Sequence, residues 1–223
     1  SIVRTAHLPD VQNEYSLEGT AAHKLAEYCL TNKVKAQDAV FPQGFERFDT
    51  SEFRDYVQTY LDYIAAECVG AEVFVEQKLE IFSEYDVWGT ADVVGVMPKA
   101  TIKVIDLKFG RGVVVDASTT QLILYGIGGM SFDWLLSEEL ETIEVHVFQP
   151  RRNHIDKQSY SVQELRTWII EQMAFIKRAA AGTDEAFPGA HCKWCKVKAT
   201  CRERAESLLA DAAFDFSIPD PNG

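Results

Sequence analysis

The stretch that decides the fold is Glu72–Phe109, with the sequence EVFVEQKLEIFSEYDVWGTADVVGVMPKATIKVIDLKF. It contains three runs rich in β-branched and aromatic residues, each as long as a typical strand. They are residues 72–82, 87–97 and 101–109. The short polar segments Ser83–Asp86 and Pro98–Lys99 separate them and are typical of turns. We therefore predict three consecutive antiparallel strands, a β-meander.

Outside this stretch, most apolar residues recur at helical spacing. The predicted helices are residues 14–31 with Ser16 as N-cap, 51–69, 119–136, 161–181 capped by Ser161, and a short one at 202–209. Residues 142–149, TIEVHVFQ, form a fourth predicted strand. The order α, α, β, β, β, α, β, α predicts an α/β fold in which helices flank a small mixed sheet.

The 223-residue length fits one globular domain with a small appendage. We assign residues 1–185 to the domain, with a helical insertion at about 33–70, residues 186–210 to a cysteine-rich appendage, and 211–223 to a disordered tail. No apolar run approaches the length of a membrane span, so no membrane partner is expected. The formal net charge of −12 disfavours broad, non-specific DNA binding. A nucleic-acid substrate would require a local basic channel.

A charged pair stands inside the third predicted strand. In Val104–Lys108, alternation places Asp106 and Lys108 on one face and leaves the apolar residues between them on the other. Burying charges is costly, so the pair needs a reason. An edge strand with one wet face or a structural salt bridge would each explain it, and a catalytic role is the third reading.

Asp92 strengthens the catalytic reading. It stands in the preceding strand, which the meander makes an antiparallel neighbour, so Asp92 and Asp106 could converge on one point. Two carboxylates beside an amine suit a hard divalent cation that activates water and stabilises a phosphoryl group. The alternative is a surface charge cluster.

The sequence now resembles a known family. A carboxylate on one strand followed by Asp106-Leu107-Lys108 on the next is similar to the PD-(D/E)XK nucleases. Gly19-Thr20-Ala21-Ala22-His23 resembles the Gly-Thr-x-x-His motif of the RecB-like branch, and Gln121-Leu122-Ile123-Leu124-Tyr125 resembles its Gln-x-x-x-Tyr motif. With Gly110-Arg111-Gly112 close behind, the chain most resembles RecB-like proteins encoded by phages and prophages. The resemblance implies a restriction-endonuclease-like core.

The resemblance also implies roles for individual residues. His23, Asp92, Asp106 and the backbone carbonyl of Leu107 would bind Mg²⁺ or Mn²⁺. Lys108 would be the catalytic lysine, and Gln121 and Tyr125 would line the site and contact DNA. Glu27 and Glu76 are possible supporting residues, with Glu76 equally able to face solvent. The basic residues expected to contact DNA are Lys103, Lys108, Arg111, Arg151 and Arg152.

Three of the five cysteines form a C-x₂-C-x₅-C pattern: Cys192, Cys195 and Cys201. Such close thiolates favour a soft metal over disulfides, and Cys29 and Cys68 are predicted to be packing residues. The resemblance implies a [4Fe–4S] cluster, with zinc as the alternative. The fourth ligand is not evident; we expect it to precede Ser1, with Cys29 as the less favoured choice.

The expected function is metal-dependent hydrolysis of DNA, by an exonuclease acting in phage recombination or replication. On this reading the protein works in the bacterial host cytoplasm, and a single-strand annealing or recombination protein is a possible partner. Two rivals remain: a scaffolding or nucleic-acid-binding module without catalysis, and a metal-dependent enzyme acting on RNA or a small phosphate ester. Gly110–Gly112 is too short for a P-loop, which excludes an ATPase of that type.

Overall fold

The computed structural model describes residues 13–98, 100–130, 140–182 and 186–217, without the side chains of 194 and 214–217. Contacts divide the described chain into two compact units, one up to Glu171 and one from Gln172 onward. The first unit carries the sheet and the predicted nuclease motifs. Each unit is described by itself below.

The first unit is built on a five-stranded sheet in the order β1-β2-β3-β4-β5. The strands are β1 (Glu72–Phe82), β2 (Val87–Met97), β3 (Thr101–Leu107), β4 (Thr142–Gln149) and β5 (His154–Ser161). β1, β2 and β3 pair antiparallel as the predicted meander, β4 adds parallel to β3, and β5 adds antiparallel to β4. The expected mixed α/β sheet is thereby confirmed.

Among the described residues, two α-helices precede the sheet. Helix α1 (Glu14–Asn32) begins at a capping box in which Asn13 is the N-cap and Ser16 the third helical residue. The prediction of Ser16 as N-cap was wrong because its hydroxyl bonds back to Asn13 instead of opening the helix. Helix α2 (Ser51–Glu67) is capped by the side chain of Thr50.

Helices cover both faces of the sheet. Alternating β3 side chains separate into two clusters, so Ile105 and Leu107 pack with α1 and α2, whereas Ile102 and Val104 pack on the opposite face. That opposite face is covered by helix α3 (Thr120–Gly129) and the first turns of α4 (Val162–Ala180). This is the helix–sheet–helix arrangement expected of a restriction-endonuclease-like core. Cys29 and Cys68 are buried in the first cluster, as predicted.

The sequence analysis missed β5. Its sequence, HIDKQSYS, has few apolar residues because β5 is an edge strand and most of its side chains are exposed. Pro150–Arg152 form a short 3₁₀ turn between β4 and β5. β3 ends at Leu107, two residues before the predicted end. The amide of Lys108 still bonds to the carbonyl of Phe148, but the strand pairing does not continue beyond this bond.

In the second unit, the remainder of α4 is followed by a 3₁₀ turn at Ala190–Trp194 and by helix α5 (Arg202–Ser217). α5 is longer than the predicted helix at 202–209, so residues 211–217, assigned to a tail, are helical. Residues 218–223 and positions 131–136 of the predicted helix lie outside the described residues. None of the described helices has the length and apolar character needed to cross a membrane.

Candidate active site

Asp92 occupies the centre of the site, where β2 faces helix α1. Its Oδ1 lies 3.0 Å from Nδ1 of His23, and its Oδ2 accepts a hydrogen bond of 2.6 Å from the backbone N–H of Leu107. The Leu107 N–H lies past the last paired residues of β2 and β3, and it holds the Asp92 carboxylate in place. The histidine is delivered by α1, whose buried positions Ala22 and Ala26 face the core.

Glu76 completes a compact group of possible ligands. One ligand atom from each of His23, Glu76 and Asp92 lies within 4.8 Å of the other two. Glu76 has φ +47°, a left-handed conformation that costs about 1–2 kcal/mol in a residue with a Cβ. It falls between the ladder pairs Val75–Val93 and Gln77–Ala91 and is itself unpaired. We call His23, Glu76 and Asp92 the candidate metal cluster.

Asp106 and Lys108 form a second part of the site. Asp106 is 3% exposed, and its Oδ2 lies 2.8 Å from Nζ of Lys108. The geometry of that contact is poor: Nζ hydrogen-bonds to Oδ1 at 3.2 Å, and the buried Oδ2 has no hydrogen-bond partner among the described residues. An orphaned buried carboxylate oxygen costs free energy unless a cation or donor satisfies it.

A chain of polar side chains continues from Lys108 to α3. Lys108 Nζ donates to Gln121 Oε1 at 3.3 Å, and Gln121 Nε2 donates to the hydroxyl of Tyr125 at 3.0 Å. The two α3 residues are one helical turn apart, so they share a face. Gly89 on β2 makes room for the tyrosine, because a Cβ there would lie 2.6 Å from the Tyr125 ring.

The electrostatics show a surplus of negative charge. Burial, reinforced by Asp92, raises the pKa of Glu76 to about 7. Burial also raises the pKa of Asp106 to about 6, against the opposing effect of Lys108 and with help from Asp92. Burial lowers the pKa of His23, but the hydrogen bond and charge of Asp92 outweigh it and leave the pKa above its ordinary value. Each shift favours adding positive charge.

These residues fit a hard divalent cation. Carboxylate oxygens and an imidazole nitrogen are ligands that Mg²⁺ and, with the histidine, Mn²⁺ accept. The buried Asp106 carboxylate and the raised pKa values of Glu76 and Asp106 supply the electrostatic demand for one. The distribution differs from the expected ligand set, because Asp106 pairs with Lys108 and Glu76 stands in the compact group.

Other predicted residues lie around this core. Glu27 lines a small pocket together with the metal-cluster residues and Leu107. Leu107 was predicted to offer its carbonyl; the contact that the structure displays is its N–H to Asp92. Glu76, which the sequence analysis ranked only as possible support, carried no signal of its importance beyond being an acid inside a strand. Its left-handed backbone is not readable from the sequence.

The predicted DNA-contacting residues fall into two places. Arg151 pairs with Glu18 of α1 at 2.6 Å. Arg152 donates to the backbone carbonyl of Arg111 at 2.7 Å, so these arginines lie beyond the ends of β3 and β4, near Lys108. Lys103 does not join them: it lies in a separate network of ion pairs, so its assignment to a DNA channel was wrong.

That network is a second group of acids and a histidine. One ligand atom from each of Glu67, Glu144 and His146 lies within 4.8 Å of the others. Lys103 contacts both glutamates, at 2.9 and 3.3 Å, and Lys157 pairs with Glu67. We call these five residues the ionic cluster. His146 is fully buried, and burial lowers its pKa.

The three C-terminal cysteines are not gathered around one point. Cys192 Sγ accepts a contact from the Gly189 N–H at 3.4 Å, and Cys201 Sγ contacts Glu203 at 3.4 Å. Among the described residues, Cys192, Cys195 and Cys201 do not form a group of ligand atoms within 4.8 Å. As they stand, these three thiolates do not surround a single zinc ion.

Comparison with solved structures finds distant similarities. A candidate exonuclease from Eubacterium rectale is similar at 12% identity and a TM-score of 0.47, covering 90% of this chain and 79% of that one. The protein SSO0001 is similar at 15% identity and a TM-score of 0.36, covering 89% of this chain and 92% of that one. At these scores the similarities carry no argument about function.

Comparison with protein families gives a match over almost the full length. Residues 1–221 match a family described as "Protein of unknown function (DUF2800)". The match includes every residue of the candidate metal cluster as well as Asp106 and Lys108. Since it spans far more than half of the chain, the protein belongs to the DUF2800 family.

Proposed function

We propose that the protein is a metal-dependent nuclease of the PD-(D/E)XK type, in the RecB-like branch. The observation that carries the proposal is the meeting of two parts. A compact group, His23, Glu76 and Asp92, stands beside a buried carboxylate, Asp106, which is paired with Lys108. Strands β2 and β3 and helix α1 hold these side chains, so the arrangement is set by the most regular part of the fold.

His23, Glu76 and Asp92 would hold a Mg²⁺ or Mn²⁺ ion, with Asp106 offering its unsatisfied oxygen. Such an ion supplies a lowered pKa of bound water and compensation for the charge of a phosphoryl group. The Leu107 N–H keeps the Asp92 carboxylate oriented. The ligands differ from a surface charge cluster because two of them have pKa values raised by burial.

Lys108 is the residue proposed to act on the phosphate. Neighbouring Asp106 raises the pKa of Lys108 in spite of burial, so the amine stays protonated and can donate to a developing oxyanion. Gln121 accepts from the amine and would hold it in place, with Tyr125 bonded in turn to Gln121. Both α3 side chains are exposed enough to contact a substrate strand.

DNA is the proposed substrate, degraded from an end during phage recombination or replication, with a single-strand annealing or recombination protein as possible partner. Arg111, Arg151 and Arg152 would contact phosphates next to Lys108. A catalytically silent binding module would not need a lysine paired with a buried carboxylate in this position. An RNA substrate remains an outcome of the test.

The test is digestion of end-labelled nucleic acids by the purified protein with Mg²⁺ or Mn²⁺. We expect loss of linear DNA, little attack on covalently closed circles, and no activity in excess EDTA. Activity that persists in EDTA would overturn the metal-dependent assignment. Cleavage of RNA alone would change the proposed substrate from DNA to RNA. Single- and double-stranded linear substrates, labelled at either end, would give strand preference and polarity.

A matched pair of variants tests whether the two carboxylates act as one unit. Asp92→Asn and Asp106→Asn should each abolish metal-supported cleavage, and the double variant should be little worse than either single. Glu144→Gln, an acid of the ionic cluster, is the control. Independent, additive losses from Asp92 and Asp106 would contradict a shared centre.

The cysteine appendage stays a prediction from the resemblance. A [4Fe–4S] cluster on Cys192, Cys195 and Cys201 would require these thiolates and a fourth ligand to surround it. Full-length protein purified without oxygen should then be brown, with iron and sulfide near four per chain. Colourless protein with one zinc per chain would favour the rival metal.

A further inference from the structure

A recess lies beside the candidate site, lined by arginines and aromatic rings. We propose that this arginine–aromatic pocket binds one unpaired nucleotide of the substrate strand, its phosphate on the arginines and its base on the rings. The inference rests on the proposed nuclease function and names the part of the substrate that the site takes. The residues used in the argument are Arg47, Phe48, Tyr56, Phe109, Arg111 and Arg151.

The fold places the pocket next to the proposed reacting groups. Phe109 directly follows Lys108, and the Lys108 amide bonds to Phe148 at the end of β4. Arg151 stands in the 3₁₀ turn that follows β4. The pocket therefore lies beyond the carboxyl ends of two parallel strands, where α/β sheets usually bind ligands. Its cavity volume is about 220 Å³, and its mouth opens to solvent.

Arg151 supplies a built polar anchor. Its side chain is only 10% exposed, and its guanidinium lies 4.9 Å from the centre of the Phe109 ring. One terminal nitrogen bonds to Glu18, while the buried Nε has no hydrogen-bond partner among the described residues. Arg151 lines the pocket, and an arginine is suited to paired contacts with phosphate.

Two outer arginines can exchange their partners. Arg111 lies 3.9 Å from Glu52, and both side chains are more than half exposed. Arg47 pairs with Glu14, again with both side chains more than half exposed. Exposed pairs of this kind contribute little to stability, so a backbone phosphate can displace the glutamates.

The aromatic rings define the other half of the ligand. Phe109 is buried and forms part of the wall, whereas Phe48 and Tyr56 are half-buried and keep ring surface toward the pocket. Stacking on such rings requires a base that is not already stacked inside a duplex. A pocket that combines arginines with partly exposed rings therefore favours a single-stranded end or a frayed terminal nucleotide over an intact base pair.

The direct test is photocrosslinking of the full-length protein to oligonucleotides that carry 5-iodouracil, in Ca²⁺ so that binding is observed without turnover. We expect crosslinks to Phe48 or Tyr56, identified by mass spectrometry of the peptides, from an iodouracil in a single-stranded overhang. The same base placed inside a blunt duplex should crosslink much less. Crosslinks confined to residues outside the pocket would overturn the inference.

Binding of labelled DNA to three variants completes the test. Tyr56→Leu and Phe48→Leu should each weaken binding of an overhang substrate by at least about fivefold and change blunt-duplex binding by less than about twofold. Arg166→Gln is the matched control, since this exposed arginine stands on α4, which packs on the opposite face of the sheet. Equal losses on both substrates, or losses matched by the control, would mean diffuse attraction and would contradict the pocket.

The two proposals fail differently. Pocket variants that keep normal overhang binding, while Lys108→Ala loses cleavage, would overturn the pocket and leave the nuclease. A wild-type protein that crosslinks through Phe48 or Tyr56 but cleaves nothing with any divalent ion would overturn the nuclease and leave a nucleotide-binding surface. A free mononucleotide should compete weakly compared with the overhang if the pocket serves a strand.

Discussion

The candidate metal cluster and the ionic cluster contain the same kinds of ligand but differ in charge balance. Each brings two carboxylates and a histidine within 4.8 Å. In the ionic cluster, Lys103 and Lys157 neutralise the acids, and their pairing outweighs burial and lowers the pKa of Glu67 to about 2. In the metal cluster, burial and the negative neighbour Asp92 raise the pKa of Glu76 to about 7.

The difference shows that ligand spacing alone does not identify a cation site. The ionic cluster already holds its counter-charges, so a divalent ion would have to displace two lysines. The metal cluster has Lys108 nearby, but that amine is already engaged by Asp106. The histidines report the same contrast: His23 has a raised pKa and His146 a lowered one. Charge balance separates a structural network from a site prepared for a cation.

The largest expected effect concerns Lys103 and Lys108, which lie five positions apart in the sequence. Lys108→Ala should lower the rate of DNA cleavage by about 10²-fold or more, because it removes the group that would stabilise the developing charge. Lys103→Ala should leave the rate of the folded fraction within about threefold. Single-turnover rates, corrected for folded protein by circular dichroism, make the comparison. Similar losses in both variants would erase the functional distinction between the clusters.

The next effect is stabilisation by metal. At Mn²⁺ about 100-fold above its dissociation constant, binding adds about 2.7 kcal/mol, which for a chain of this size raises Tm by about 5–10 °C. Asp92→Asn should abolish the shift, and Glu144→Gln should keep it. Differential scanning fluorimetry over a metal titration measures it. A shift lost with Glu144 and kept without Asp92 would assign the cation to the ionic cluster.

A smaller effect is an opposite dependence of stability on pH. The folded pKa of Glu76 is above its unfolded value, so its protonated form favours folding below pH about 4.5, and this contribution is lost as pH rises to about 7. Relative to wild type, metal-free Glu76→Gln should therefore gain stability across this window, on the order of 1–2 kcal/mol. Urea unfolding in EDTA measures it.

Glu67 should behave in the reverse sense. Its folded pKa is depressed, so its contribution is present above pH about 4.5 and is lost as pH falls toward about 2. Wild type should be more stable than Glu67→Gln near neutral pH, with the gap closing in acid. If both variants show the same slope with pH, the two clusters do not differ in charge balance.

The final comparison lies inside the ionic cluster. Lys157 is 46% exposed and Lys103 only 15%. Lys157→Met should cost at most about 1 kcal/mol of unfolding free energy, as for an exposed pair. Lys103→Met should cost about 2–3 kcal/mol, because it leaves two partly buried glutamates without their shared partner. Equal costs, measured by urea unfolding, would show that burial does not rank these pairs.

Much of the sheet was predictable because its strands obey simple patterns. The bounds of β1, β2 and β4 match the structure, and Ile105 and Leu107 lie on the buried face opposite Asp106, as alternation requires. β5 was not predictable by the same rule. An edge strand needs few apolar side chains, so its sequence resembles a polar turn leading into a helix.

The candidate site was predictable in part. The motif resemblance placed His23 and Asp92 together, and the structure gives a 3.0 Å contact. It also linked Lys108, Gln121 and Tyr125, which form a continuous hydrogen-bonded chain. The sequence could not have identified Glu76 as a member of the metal cluster, because its role depends on a backbone conformation that is disfavoured for glutamate. Nor does sequence separation reveal that Lys103, only five positions from Lys108, serves another network.

The parallel pairing of β3 with β4 has a consequence during synthesis. His23, Glu76, Asp92 and Asp106 all precede Lys108, and the antiparallel meander that carries the acids can close as it leaves the ribosome. The partner strand is made about 40 residues later, a delay of about two to eight seconds at ordinary translation speeds. Until then the Lys108 amide lacks its Phe148 acceptor. An unfinished chain would bring the carboxylates together before it fixes the lysine, so the proposed site would be complete only after β4 has joined the sheet.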